Sequence, residues 1–161
     1  MLRWLGAGLI LGAGLLARRT VLETARAEQQ TRLELSSAFE TMEGEIRLLL
    51  TPLPTLLRRG YGAKADAFFT RVTDALRSTD LPLAWRSAAA ELLLSPEEQA
   101  AVAELGVRLC GGEESVCAAL TLAAAQLRKR YEETEQKRPE NERLSTSMLI
   151  SVSLFLILLL L

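Results

Sequence analysis

The residue types that most often do chemistry are sparse in this 161-residue sequence. Cys110 and Cys117 flank Gly111-Gly112, near the end of one predicted helix and the start of the next. In an oxidising compartment such a pair could close a disulfide. In a reducing one they are small core residues, and with no further ligand nearby they make a poor metal site. Glu40, Glu43 and Glu45 offer paired carboxylates, which exchange protons usefully only where a pocket shifts their acidities. An exposed helix surface, expected here, leaves them ordinary anions. Arg128-Lys129-Arg130, followed by Glu132, Glu133 and Glu135, reads as a solvated helix face with weak pairs. Contact with anionic lipid is the alternative for that triplet. The chain has no histidine, which removes the commonest general base and metal ligand. It also lacks GxxxxGK[ST], GxSxG and CxxC runs, so nothing supports a phosphate cradle, hydrolase elbow or zinc ribbon. The expectation is a protein that is not an enzyme and uses no cofactor and no metal.

Helices must position whatever these residues do. Ala, Leu, Glu and Arg dominate the chain, and they are strong helix formers, while aromatics make up only 5%. Lys plus Arg (19) and Asp plus Glu (20) nearly cancel, so no nucleic-acid footprint stands out. Both ends are apolar: residues 4–17 and 148–161 carry no charged side chain. Each stretch falls short of the roughly 20 residues that cross a bilayer. Snorkelling by Arg3, and Ser145, Thr146 and Ser147 with hydroxyls turned onto backbone carbonyls, can extend them. The organisation read from this is a transmembrane helix over 1–17, a cytoplasmic helical domain over 18–145 and a second transmembrane helix over 146–161. A cleaved signal peptide is the rival reading of the first segment, but Arg18 and Arg19 make an awkward mature start. Arg18, Arg19 and Arg26 after the first span, and Lys137, Arg138 and Arg143 before the second, orient the domain to the cytoplasm. Gly8-x-x-x-Gly12 provides a surface for close helix contact in the membrane, and with it a route to a homo-oligomer.

Between the ends, apolar spacing predicts about six helices. The first should run from Arg18 to about Leu50, with Leu35, Phe39, Met42, Ile46 and Leu49 as its stripe and 24–32 as a polar stalk. Thr51-Pro52-Leu53-Pro54 stops it, with Thr51 capping a short helix that begins at Pro52. Ala65, Phe68, Phe69, Val72, Ala75 and Leu76 mark the next helix. Leu81, Trp85, Ala88, Ala89 and Leu92 mark the one after. Ser95-Pro96-Glu97-Glu98 spells a capping box, opening a helix that buries Val102, Leu105, Gly106 and Leu109. The last helix starts near Glu113 with Val116, Leu120, Ala123, Leu127 and Tyr131 inward, and Pro139 should kink or break it. The fold class is all-α: an antiparallel bundle of about six helices flanked by N- and C-terminal transmembrane helices.

The ordered set MEGEIRLLLTPL, then Trp85, then Leu105-Gly106 and a long helix into an apolar end resembles the stage III sporulation protein AB family. The positions that carry the resemblance are Met42, Glu43, Glu45, Ile46, Thr51, Pro52, Leu53, Trp85, Leu105 and Gly106. The sequence departs from the family pattern at Met42, at Leu48 to Leu50, in its leucine-rich last segment and at Pro139. The resemblance implies sporulation: a mother-cell membrane protein facing the forespore in an endospore-forming bacterium. It implies a non-catalytic platform or scaffold in a secretion-like channel complex, its domain similar to cytoplasmic domains of type II secretion and type IV pilus platform proteins. The implied partners are the membrane, a secretion-type ATPase subunit and other channel-complex proteins of the sporulation operon. A membrane-anchored helical regulator or adaptor outside sporulation is the alternative.

Overall fold

The computed structural model describes the backbone over residues 2–160, and side chains over 19–136 and at Ser151. Six helices and no strand occur among the described residues: α1 (Leu2–Leu49), α2 (Leu53–Leu56), α3 (Ala63–Ala75), α4 (Leu81–Ala90), α5 (Pro96–Arg108) and α6 (Glu113–Leu160). The chain divides into two compact units, Met1–Arg128 and Lys129–Leu161. The first holds α1 to α5 with the opening turns of α6, and the second is the remainder of α6.

The predicted stripes build the core of the first unit. On α1, Leu35, Phe39, Met42 and Ile46 are buried, on α3 Ala65, Phe68, Phe69 and Val72, and on α4 Trp85, Ala88 and Ala89. Val102, Leu105 and Leu109 of the α5 segment and Val116, Leu120, Ala123 and Leu127 of α6 complete it. Each Leu, Ile, Val, Phe or Met among them contributes roughly 1.5–3 kcal/mol by leaving water, and each alanine less. Local chemistry fixes where the helices start. The Asp80 carboxylate accepts the Leu83 N–H at 3.2 Å ahead of α4, and the full Ser95/Glu98 capping box opens α5.

Four expectations need correction. Leu49 is 70% exposed rather than part of the stripe, because α1 ends there and Leu50 turns to a left-handed φ of 52°. Thr51 does not cap α2: Pro52 occupies that position with no side-chain bond, and Pro54 falls in the first turn. The polar stalk is shorter than read, since Thr31 and Arg32 are already buried. Finally, of the kink or break expected at Pro139 the break does not occur: α6 continues through it, as a long helix can when it gives up a single i→i−4 bond.

No helix among the described residues is long and apolar enough to cross a membrane. The flanking transmembrane helices of the sequence reading therefore gain no support from this structure. Residues 1–17 and 146–161, including Gly8 and Gly12, lie outside the described side chains apart from Ser151.

Candidate functional site

Two groups of motif residues assemble in space. The first joins α4 to α5. Trp85 is fully buried, and its indole N–H donates to the Val102 carbonyl at 2.8 Å. One turn further along α5, Gly106 lies so close that a Cβ built on it would stand 2.5 Å from the Trp85 Cβ. Only a residue without a side chain admits the indole there. Leu105, 2% exposed, lies beside this notch. Around the indole, Phe68 packs edge-on at 5.1 Å between centroids, with Phe69 at 6.1 Å and Phe39 at 6.3 Å. Four helices thus converge on one ring, an arrangement that packs and orients but moves no proton.

The second group closes the end of α1. Ile46 is buried, while Glu45 receives the Arg59 guanidinium from the loop after α2. Glu43 pairs with Arg47 one turn on at 2.7 Å. Its backbone carbonyl lies 4.0 Å from the Cys117 Sγ, a weak S–H contact from α6. The left-handed Leu50 returns its N–H to the Ile46 carbonyl at 3.1 Å, closing the helix. Thr51 donates its N–H to the Glu45 carbonyl at 3.4 Å. The Pro52 carbonyl then accepts the N–H groups of Thr55 and Leu56 at 3.0 and 3.3 Å, turning the chain into α2. Leu53 packs, partly buried, against the core.

The two cysteines are not joined in a disulfide. Both are free, Cys110 exposed and Cys117 buried. Burial, then the nearby Glu43 carboxylate, pushes the Cys117 thiol up, so it stays protonated and a poor nucleophile. Glu40 meets Arg128 at 3.2 Å on an exposed face, and Lys129 and Arg130 reach Glu133 at 4.0 and 3.9 Å. Such pairs contribute little. Among the described residues, no group of three or more His, Cys, Asp or Glu side chains is placed to hold a metal ion.

Sequence reasoning missed two polar connections made by α1. Arg32 Nε and Nη2 donate to the two Glu98 carboxylate oxygens at 2.7 and 3.0 Å, with side chains only 9% and 7% exposed. Burial pushes the Glu98 carboxyl up, but the Arg32 and Ser95 hydrogen bonds outweigh it and hold the group below its ordinary value. The same pairing, opposed by burial, raises Arg32. A signal existed, because Arg32 falls three residues before Leu35 and so on the core face of α1. The second connection is a helix cap supplied from afar. Glu34 Oε2 accepts the Lys64 and Ala65 N–H groups at 2.6 and 3.2 Å, serving the first turn of α3, whose own Gly62 has no side chain to do so. Gly62 sits at φ 138°, and a Cβ there would stand 2.6 Å from the same carboxylate oxygen. Nothing in the local spacing names Glu34 as the partner.

The family model described as stage III sporulation protein AB matches residues 3–161. The chain belongs to this family. Comparison with curated proteins and with solved structures gave no match. Membership in the stage III sporulation protein AB family gives the chain a role in sporulation. The positions that carried the resemblance are the ones just described: Trp85, Leu105 and Gly106 in the α4–α5 notch, and Glu43 to Leu53 at the end of α1.

Proposed function

We propose that the chain is a non-catalytic, membrane-anchored platform component of a secretion-like channel complex linking mother cell and forespore. The observation that carries this reading is the family match over residues 3–161. The use of the motif residues for packing and helix ends supports it. Residues 1–17 and 146–161 would be the anchors, set in the mother-cell membrane facing the forespore. The domain over 18–145 would face the cytoplasm and meet a secretion-type ATPase subunit and other channel proteins. At 1.5 Å per residue, a 17-residue segment covers about 26 Å against a hydrocarbon core of about 30 Å. Flanking arginines and hydroxyl residues make up the difference. Because α1 and α6 each run 48 residues and reach into those segments, each anchor would share a helix with the bundle.

Deleting the gene in its own host and counting heat-resistant spores tests the reading. Sporulation should stall after engulfment and recover with the full chain but not with 18–145 alone. Recovery by 18–145 would remove the membrane tether from the mechanism, and normal spore counts on deletion would remove the platform role.

A further inference from the structure

A cleft of about 360 Å³ lies between the chain that follows α2 and one side of α3. Its α3 wall is made by Asp66, Phe69, Thr70, Thr73 and Asp74, whose spacing of three and four puts them on one helix face. Arg58 and Arg59 stand on the other wall. Phe69, 1% exposed, makes an apolar floor, while Arg58, Thr70 and Asp74 are exposed at the mouth. A pocket for a small metabolite is enclosed and mostly apolar. This cleft is open and charged, which suits a side chain presented on the surface of another protein.

Much of its polar chemistry is uncommitted. Arg59 is taken by Glu45, and Asp66 Oδ1 accepts the Tyr61 N–H at 2.7 Å. Asp66 Oδ2 and the Thr70 hydroxyl have no partner among the described residues. The Thr73 hydroxyl donates to the Phe69 carbonyl at 2.8 Å and keeps its lone pairs free to accept. Asp74 touches only Arg77, at 3.8 Å and 82% exposed. Arg58 makes no hydrogen bond or ion pair among the described residues, so it neutralises neither carboxylate.

The α3 wall is thus rich in acceptors, and a spare guanidinium faces it. Eight residues at 1.5 Å put Asp66 and Asp74 about 12 Å apart along the axis, with Thr70 midway. That gap admits a guanidinium lying between the two carboxylates. Arginine fits this set best, because its planar fork carries five donors and its methylene stem can lie on Phe69. Lysine brings a point charge with three donors. Arg58 repels a bare cation and favours one with acidic neighbours.

We propose that this cleft receives an exposed arginine flanked by acidic residues on a partner protein. Asp66 and Asp74 hold the incoming guanidinium, and Arg58 meets the flanking carboxylates. The site is independent of the platform role, which would survive its loss.

The full chain in phosphatidylcholine nanodiscs, titrated with acetyl-Glu-Arg-Glu-amide and followed by saturation-transfer NMR, tests the site. Saturation should reach the arginine methylenes most strongly. Acetyl-Glu-Gln-Glu-amide should receive at least about five-fold less, and the Asp66→Asn/Asp74→Asn variant should lower transfer to the arginine peptide by a similar factor. Asparagine keeps the acceptor that Tyr61 uses, and unaltered circular dichroism excludes unfolding as the cause. Glu104→Gln, an exposed change on α5, should leave transfer unchanged. Arg58→Glu should reverse the preference in favour of acetyl-Lys-Arg-Lys-amide. No transfer from the wild type, equal transfer to the arginine and glutamine peptides, or indifference to the paired asparagine change overturns the site. A preference unmoved by Arg58→Glu overturns the part given to Arg58.

Discussion

Arg32 and Glu98, 66 residues apart in the chain, form a two-pronged buried ion pair that fastens α1 to the first turn of α5. Removing one partner strands the other in the interior, which typically costs 3–5 kcal/mol. Arg32→Ala should therefore lower the free energy of unfolding by about that amount in urea titration. Arg32→Met combined with Glu98→Leu should cost much less than Arg32→Ala and Glu98→Ala combined additively. A double change as damaging as that sum would show that the pair is not a unit.

The same pair sets an acid limit. Because Glu98 titrates below its ordinary value when folded, its contribution is present above the unfolded carboxyl value, near 4.3, and is lost as pH falls through the folded one. Stability should decline below about pH 4.5, and more shallowly in Glu98→Gln. Parallel pH–stability curves for the two proteins would contradict this.

Gly106→Ala adds a methyl group 2.5 Å from the Trp85 Cβ. Helix propensity favours alanine by about 1 kcal/mol, but overpacking a filled notch costs about 1–3 kcal/mol, so the variant should melt lower. Fluorescence from Trp85 should also shift to the red as the indole is displaced, read in a Trp4→Phe background. A higher melting temperature would mean that the two helices separate freely.

Gly62→Ala meets both an unfavourable φ and the Glu34 carboxylate at 2.6 Å. Glu34→Ala alone should cost about 1 kcal/mol by uncapping α3. The two changes should be less than additive, since the second removes the atom that the first strikes. Strict additivity in thermal melts would separate Gly62 from Glu34.

Leu50→Gly relieves about 1–2 kcal/mol of left-handed strain and returns part of it as unfolded-state entropy. The net expectation is a gain of about 0.5–1 kcal/mol in chemical denaturation. A loss would show that the exposed leucine supports the fold.

The parts of this molecule that could be read from its sequence are those where cause and effect lie within a turn or two. The α1 stripe from Leu35 to Ile46 follows from periodicity, and the Ser95/Glu98 box follows from residues three apart. What could not be read were effects of partners far along the chain. Glu98 is legible as a cap but not as the acceptor for Arg32, and Gly62 is legible as a helix breaker but not as a residue leaving room for Glu34. The family positions fared similarly. Trp85 and Gly106 were each singled out, yet that one fits into the other depends on how α4 and α5 approach. The end of α1 was misjudged by a residue because Leu50 takes a conformation that its type disfavours.

The spread of these connections also orders events during synthesis. The Trp85–Val102 bond spans 17 residues, so α4 and α5 can dock as soon as both have left the ribosome, since short loops close first. Helix α1 is made earlier but waits longer. Its buried face can meet α3 first, through Phe39 and Phe69, and Arg32 finds its α5 partner only when Glu98 emerges. Until α3 emerges, Leu35, Phe39, Met42 and Ile46 face the solvent on a nascent chain, the interval in which such a stripe is open to chaperones and to misassembly.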